Sequence, residues 1–124
     1  MNNDFFYKKV LAYQKAKELT IYVYTLLRKF PSYELYGMCD QLRRASVSIP
    51  SNIAEGLGRM SIKERIRFLE ISYASLTEVS CQLDIALSLG YVTDEELSNA
   101  ERLAAETGKL LSGLRKSLID KQPE

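Results

Sequence analysis

Three stretches of the chain carry apolar residues at an unbroken 3-4-3-4 spacing, the period of a helix that buries one stripe against its neighbours. The first runs from Tyr7 to Phe30, with a seam of Ala12, Ala16, Leu19, Val23, Leu26 and Phe30. Pro31 disfavours helical backbone at Phe30 and ends the helix there. A second stretch, Ile62 to Leu89, has the seam Ile66, Leu69, Tyr73, Leu76, Ser80, Leu83 and Leu87. Ser61 and Glu64 read as a capping box at its start, and Gly90 as its C-terminal cap. The third, Asp94 to Leu118, has the seam Leu97, Ala100, Ala104, Thr107, Leu111, Leu114 and Leu118, with Thr93 and Glu96 as another capping box.

Between the first two lies a more difficult segment. Ser32 is its candidate N-cap, and Leu35, Met38, Leu42, Ala45 and Ile49 form a good seam until Pro50 arrives. Proline brings no N–H and collides with the carbonyl four residues back, that of Ser46, at a cost of about 3 kcal/mol in a regular helix. The helix can kink and continue to Leu57, or break with Pro50 opening a new one. The apolar pattern resumes at Ile53, Ala54 and Leu57. The short polar side chains from Ser46 to Gly56 can also satisfy freed backbone groups. Both features favour the kink.

Residues 31–33, 58–61 and 90–93 join successive helices, and connections this short make neighbours antiparallel. The prediction is therefore an all-α, up-down-up-down four-helix bundle kinked at Pro50. At 124 residues it has room for one domain, spanning 1–124, with a frayed tail from about 120 to 124. Helix 1 carries surplus apolar residues at Val10, Leu11, Ile21, Tyr22, Tyr24 and Leu27. Helix 3 carries them at Phe68, Ile71, Val79 and Ile85. A wide core-facing stripe accounts for some of these. A second buried surface, and hence an oligomer, accounts for the rest, and the eight tyrosines lean that way.

Composition narrows the chemistry. The chain has no His, which removes the commonest general base and metal ligand and rules out Glu-x-x-His metal pairs. Ser-Lys arrangements survive that objection, but the serines sit in caps, in the Pro50 segment or at ordinary helical positions. Gly56-Leu57-Gly58 follows no strand and reads as helix termination rather than a phosphate cradle. The expectation is a protein without enzymatic activity, cofactor or metal. Cys39 and Cys81 are far apart and match no metal spacing, so they read as reduced thiols. No apolar run is long enough to span a membrane, and the N-terminal charges follow a short aromatic stretch where a secretory leader would place them first. A cytoplasmic protein is expected.

With 17 basic and 16 acidic residues the net charge is +1, too low for a histone-like wrapper of nucleic acid. The distribution is uneven: residues 1–60 carry +4 and residues 61–124 carry −3. Arg43-Arg44 sits mid-helix 2, and Arg59, Lys63, Arg65 and Arg67 cluster at the corner between helices 2 and 3. Asp40 stands four residues before Arg44 in the favourable ion-pair order, so some of these charges can be ordinary helix pairs. Arg44 and Arg59 are about 22 Å apart along a helix, which makes two patches on a monomer. No aromatic-lined groove or base-reading motif is evident in the sequence.

The segments Tyr13-Gln14-Lys15-Ala16, Phe30-Pro31, Glu34-Leu35-Tyr36-Gly37 and, above all, Gln41 to Gly56 (QLRRASVSIPSNIAEG) carry a family resemblance, continued at Glu64, Arg67-Phe68-Leu69 and Gly90-Tyr91. The chain resembles the bacterial four-helix-bundle proteins encoded within intervening sequences of 23S ribosomal RNA genes, also described as ribosomal protein S23-like. Members usually carry Trp where Tyr13 stands, a change that should keep aromatic packing. The resemblance implies an up-down bundle, often a ring-shaped homopentamer. A related branch accompanies diversity-generating retroelements and binds a reverse transcriptase and nucleic acid. A ring would gather Arg43, Arg44, Arg59, Lys63 and Arg67 from several subunits into a surface for RNA or DNA. The Pro50, Ser51, Asn52, Glu55, Gly56 run would be a structural motif whose kink places its polar side chains. The alternative is an oligomeric adaptor with protein partners alone.

Overall fold

The structure, a computed structural model, describes residues 6–122. Residues 1–5, where the leader reading falls, and 123–124, the end of the expected frayed tail, lie outside the described residues. A 3-10 turn at Phe6–Lys9 precedes α1 (Leu11–Leu27), and a second at Ser32–Glu34 precedes α2 (Met38–Leu57). Then come α3 (Ile62–Ser88) and α4 (Asp94–Asp120). The helices α1 and α3 each pack against both α2 and α4, and the α2–α3 interface is the most extensive. The result is an all-α four-helix bundle around one apolar core. Among the described residues no helix is long and apolar enough to cross a membrane.

All six predicted seam residues of helix 1 are buried, although α1 itself is shorter than the pattern suggested. Its N-terminal turn is 3-10, and Phe30 reaches the core from the loop, where its ring meets Tyr91 at 5.2 Å. The start of helix 2 also differs. Ser32 opens the short 3-10 turn instead of capping α2. The first N–H of α2, at Met38, is satisfied by the Glu34 carboxylate at 3.1 Å, a negative group well placed at a helix N-terminus.

Helix 3 is rotated relative to its expected seam. Leu69, Leu76 and Leu83 are buried, but Tyr73 is 46% exposed, and Ser72, Ser75, Val79, Gln82 and Ala86 face inward. The buried stripe includes small polar residues because α3 packs most closely on the polar segment of α2. Val79 thus belongs to the core and not to a second surface. Gly56 has the same cause. It lies inside α2, not beyond it, and a Cβ there would stand 2.8 Å from the Phe68 Cβ. The glycine sets how closely α2 and α3 approach.

The remaining caps follow the sequence with one exception. Thr93 and Glu96 form a reciprocal capping box, with bonds of 3.1 and 2.9 Å. Ser61 accepts from the Glu64 N–H at 3.3 Å, but the return bond does not form, so this end has half a box. Gly90, at φ 80°, closes α3. The Tyr91 N–H reaches the Ala86 carbonyl at 2.9 Å and the Gly90 N–H reaches Leu87 at 3.0 Å, a Schellman arrangement.

The α2 helix does not break at Pro50 but runs through it to Leu57. The Ser46 carbonyl, deprived of its donor, accepts instead from the Thr20 hydroxyl of α1 at 2.8 Å; that hydroxyl also lies 3.0 Å from the carbonyl of Ala16 in its own helix. On the other flank the buried Ser72 hydroxyl of α3 donates to the Ile49 carbonyl at 2.8 Å. The Ser48 and Ser75 hydroxyls meet at 2.8 Å, and the Asn52 amide donates to both the carbonyl and the hydroxyl of Ser48. Satisfied polar groups therefore surround the proline and tie α2 to both neighbours.

Thr20→Val keeps the side chain's shape and leaves the Ser46 carbonyl without a donor. The expected cost is about 1–3 kcal/mol in urea unfolding. In a Pro50→Ala background the residue-50 amide can bond that carbonyl, so the same change should cost much less; equal costs in both backgrounds would refute the assignment.

A second expectation concerns acid. The Lys29 ammonium, followed by the Thr93 N–H, holds the Glu96 carboxyl below its usual range. A lowered folded value contributes stability that is complete above the unfolded carboxylate value of about 4.3 and is lost as pH falls through the lowered one. Glu96→Gln should flatten that part of the acid-unfolding curve. A curve that keeps its full slope would contradict this.

Candidate nucleic-acid interface

Because neighbouring helices run antiparallel, each pole of the bundle collects helix ends from distant parts of the chain. One pole holds the Phe6–Lys9 turn, the α2–α3 corner and the C-terminal end of α4. Lys8 and Lys9, then Arg59, Lys63, Arg65 and Arg67, then Arg115, Lys116 and Lys121 all fall there. Among the described residues, the acids at this pole are Glu55, Glu64, Glu70 and Asp120. The opposite pole holds Glu34, Asp40, Asp84 and the acidic first turn of α4, Asp94, Glu95 and Glu96. The nine basic residues of the first pole come from both halves of the chain, so the polarity between the ends of the bundle is set by folding and not by the split between chain halves.

This sorting divides the candidate basic residues. Arg43 and Arg44 lie toward the acidic pole, and both are engaged by Asp40, at 3.5 and 3.2 Å. Arg43 also donates to the Leu35 carbonyl at 3.2 Å and so holds the α1–α2 loop to α2. Arg44 leaves most of its side chain in solvent. Arg59, Lys63 and Arg67 share the corner. Arg59 pairs with Glu55 at 2.9 Å, and Arg65 donates to the Arg59 carbonyl at 2.6 Å, which fixes the turn. Lys63 and Arg67 form no ion pair with any described residue. The Arg59 guanidinium lies 4.8 Å from the Phe68 ring centre and that of Arg67 lies 5.8 Å from it, so both cations sit against one aromatic ring.

The Pro50 motif is divided as well. Asn52 turns to Ser48 and Gly56 is buried against Phe68, whereas Ser51 and Glu55 reach the surface beside the basic corner. There they line an open cleft of about 650 Å³ with Phe6, Tyr7, Ala54, Leu57, Gly58 and Arg59. Tyr7 is braced edge-on by Tyr13, their ring centres 4.9 Å apart. Position 13 thus has its expected aromatic contact.

Sequence reading placed no aromatic groove here. Phe6 and Tyr7 are some fifty residues from Arg59, and only the docking of the N-terminal turn on α2 joins them. Thr20, Ser72 and Ser75 were missed for a related reason, since isolated polar residues in a helix resemble solvent positions until a partner helix is known.

At the acidic pole the Tyr33 hydroxyl donates to Tyr91, 3.0 Å away, and Tyr91 donates to Glu34 at 2.9 Å. Its hydrogen bonding with Tyr33, then burial and Glu34, pushes the Tyr91 phenol well above its ordinary value. This cluster clamps two loops together. Nearby Tyr36 is 89% exposed. Burial likewise raises the Cys39 thiol above its ordinary value.

These features define a helical bundle with a basic pole. Residues 8–113 match the family described as 23S rRNA-intervening sequence protein, and the chain belongs to that family. Its fold is similar to a crystal structure, at 1.70 Å resolution, of a protein of unknown function from the S23 ribosomal protein family of Bacteroides thetaiotaomicron VPI-5482. The TM-score is 0.77 at 26% identity, over 86% of this chain and 99% of that one. No curated protein matches the chain. Neither the family description nor the structural neighbour names an enzymatic activity.

Proposed function

We propose that this protein is a non-enzymatic, oligomeric bundle that binds nucleic acid, or a nucleoprotein such as one containing a reverse transcriptase, through its basic pole. The observation that carries the reading is the α2–α3 corner, where Lys63 and Arg67 have no acidic partner among the described residues and Arg59 and Arg65 stand beside them. Phosphate is the complementary ligand. A net charge of +1 gives little long-range attraction, so binding needs local concentration of charge. A symmetric ring supplies it, because each subunit repeats the corner; a pentamer is the form the family resemblance implies. The surfaces available to build such a ring include Leu11, Ile21 and Tyr24 on α1 and Tyr73 and Ile85 on α3, all exposed in the single chain.

The adaptor reading has its own support. Asp40 already engages Arg43 and Arg44, and Tyr33, Leu35 and Tyr36 form an exposed patch at the far pole.

Light scattering should give a mass several times 14.1 kDa; a monomer at micromolar concentration would remove the ring from the proposal. Gel shift at about 50 mM salt, where screening is weak, should show binding of RNA or DNA. Affinity should fall on a log–log plot against salt with a slope of about −0.9 per phosphate on duplex DNA or −0.7 on single strands. Lys63→Glu with Arg67→Glu should abolish the shift while the mass stays unchanged. Arg43→Glu with Arg44→Glu should weaken it less, since Asp40 already offsets those charges. Absence of any shift for the wild-type protein would favour the adaptor.

A further inference from the structure

The basic corner offers more than charge. Phe6 is 49% exposed at the rim of the 650 Å³ cleft, on the wall opposite the end of α2. The Ser51 hydroxyl and the Glu55 carboxylate line the same cleft and offer hydrogen-bond acceptors. Arg59 lines it too, with its guanidinium over Phe68, and Arg67 lies against that same ring just outside.

This juxtaposition distinguishes among polyanions. A duplex keeps its bases stacked inside and presents phosphate to any surface that lacks an element able to enter a groove. An exposed aromatic ring beside guanidinium groups has no use for such a ligand. It stacks an unpaired base, while neighbouring cations track the backbone. The Glu55 carboxylate, paired with Arg59 through one oxygen, can accept a base N–H at the other, which leaves the phosphates to Lys63 and Arg67.

We infer that the preferred ligand is single-stranded nucleic acid, with an unpaired base stacked on Phe6 in the cleft between the N-terminal turn and α2, and its flanking phosphates on Lys63 and Arg67. This rests on the proposed nucleic-acid reading and names the ligand class for the same corner.

The chain contains no tryptophan, so Phe6→Trp places a single reporter at the rim. Three fluorescein-labelled probes separate the possibilities: a short thymidine homopolymer, the same backbone with abasic residues, and a mixed-sequence duplex of equal length. The homopolymer should bind more tightly than the duplex and should quench the tryptophan of the Phe6→Trp variant, whereas the abasic strand should not quench it. Phe6→Ala should weaken homopolymer binding by about five- to a hundredfold and leave the duplex and abasic strand unchanged. Circular dichroism checks that this exposed substitution leaves the helices intact. If all three probes bind alike, without quenching and without an effect of Phe6→Ala, the stacking inference is wrong and the phosphate-binding reading stands. If none binds, both are wrong.

Discussion

A proline inside a packed helix leaves one carbonyl without its normal donor, and the interior of this bundle is arranged around that vacancy. Burying an unbonded carbonyl costs about 1–3 kcal/mol, a large share of the roughly 5–15 kcal/mol that separates a folded domain from its unfolded chain. The Ser46 carbonyl avoids this cost because α1 brings Thr20 to it at 2.8 Å. The bond requires α1 to sit at one height and one rotation against α2. On the opposite side Ser72 reaches the Ile49 carbonyl, and Ser75 meets Ser48, which sets α3 in the same way. Apolar seams tolerate sliding; directional bonds to named carbonyls do not. The polar layer thus supplies register, and the surrounding leucines and alanines supply the driving force of burial.

The placement of charge follows from that arrangement. Once α1, α2 and α3 are held antiparallel, the N-terminal turn lies on the end of α2 and the C-terminal end of α4 joins the same pole. Groups far apart in the chain become neighbours, and the other pole receives the acidic start of α4. The Pro50 motif contributes to both interior and surface. Asn52 and Gly56 serve the packing against Ser48 and Phe68, while Ser51 and Glu55, one turn apart, stand at the cleft. A substitution in this motif would therefore disturb interior packing or the surface according to the direction its side chain takes.

Much of the fold is legible in the sequence. The helix 1 seam, the Thr93–Glu96 capping box and the role of Gly90 depend on residues within one or two helical turns, and each was read directly. The long motif around Pro50 was enough to point to the 23S rRNA-intervening sequence proteins. Apolarity alone places the inner face of helix 3 part of a turn away from where it lies. Its inner face holds Ser72 and Ser75, which are small enough for close approach and polar enough to bond α2, while the larger Tyr73 turns partly to solvent. The Gly56-Leu57-Gly58 run does end α2, with Gly58 as its C-cap, but the second role of Gly56, its close approach to Phe68, is invisible until the facing helix is in place.

The candidate interface was legible only in part. Clustered basic residues at Arg59, Lys63, Arg65 and Arg67 were visible in the sequence, as was the chance that Asp40 already held Arg44. The chain by itself determined the helices, their order, most of their caps and the family, because periodicity and capping act between residues a few positions apart. Tertiary structure decided which charges share a pole, that Phe6 and Tyr7 wall a cleft with Arg59, and that Thr20 answers a proline thirty residues on. Those relations join separate helices, and their geometry exists only once packing has fixed the rotation and height of each helix against the next.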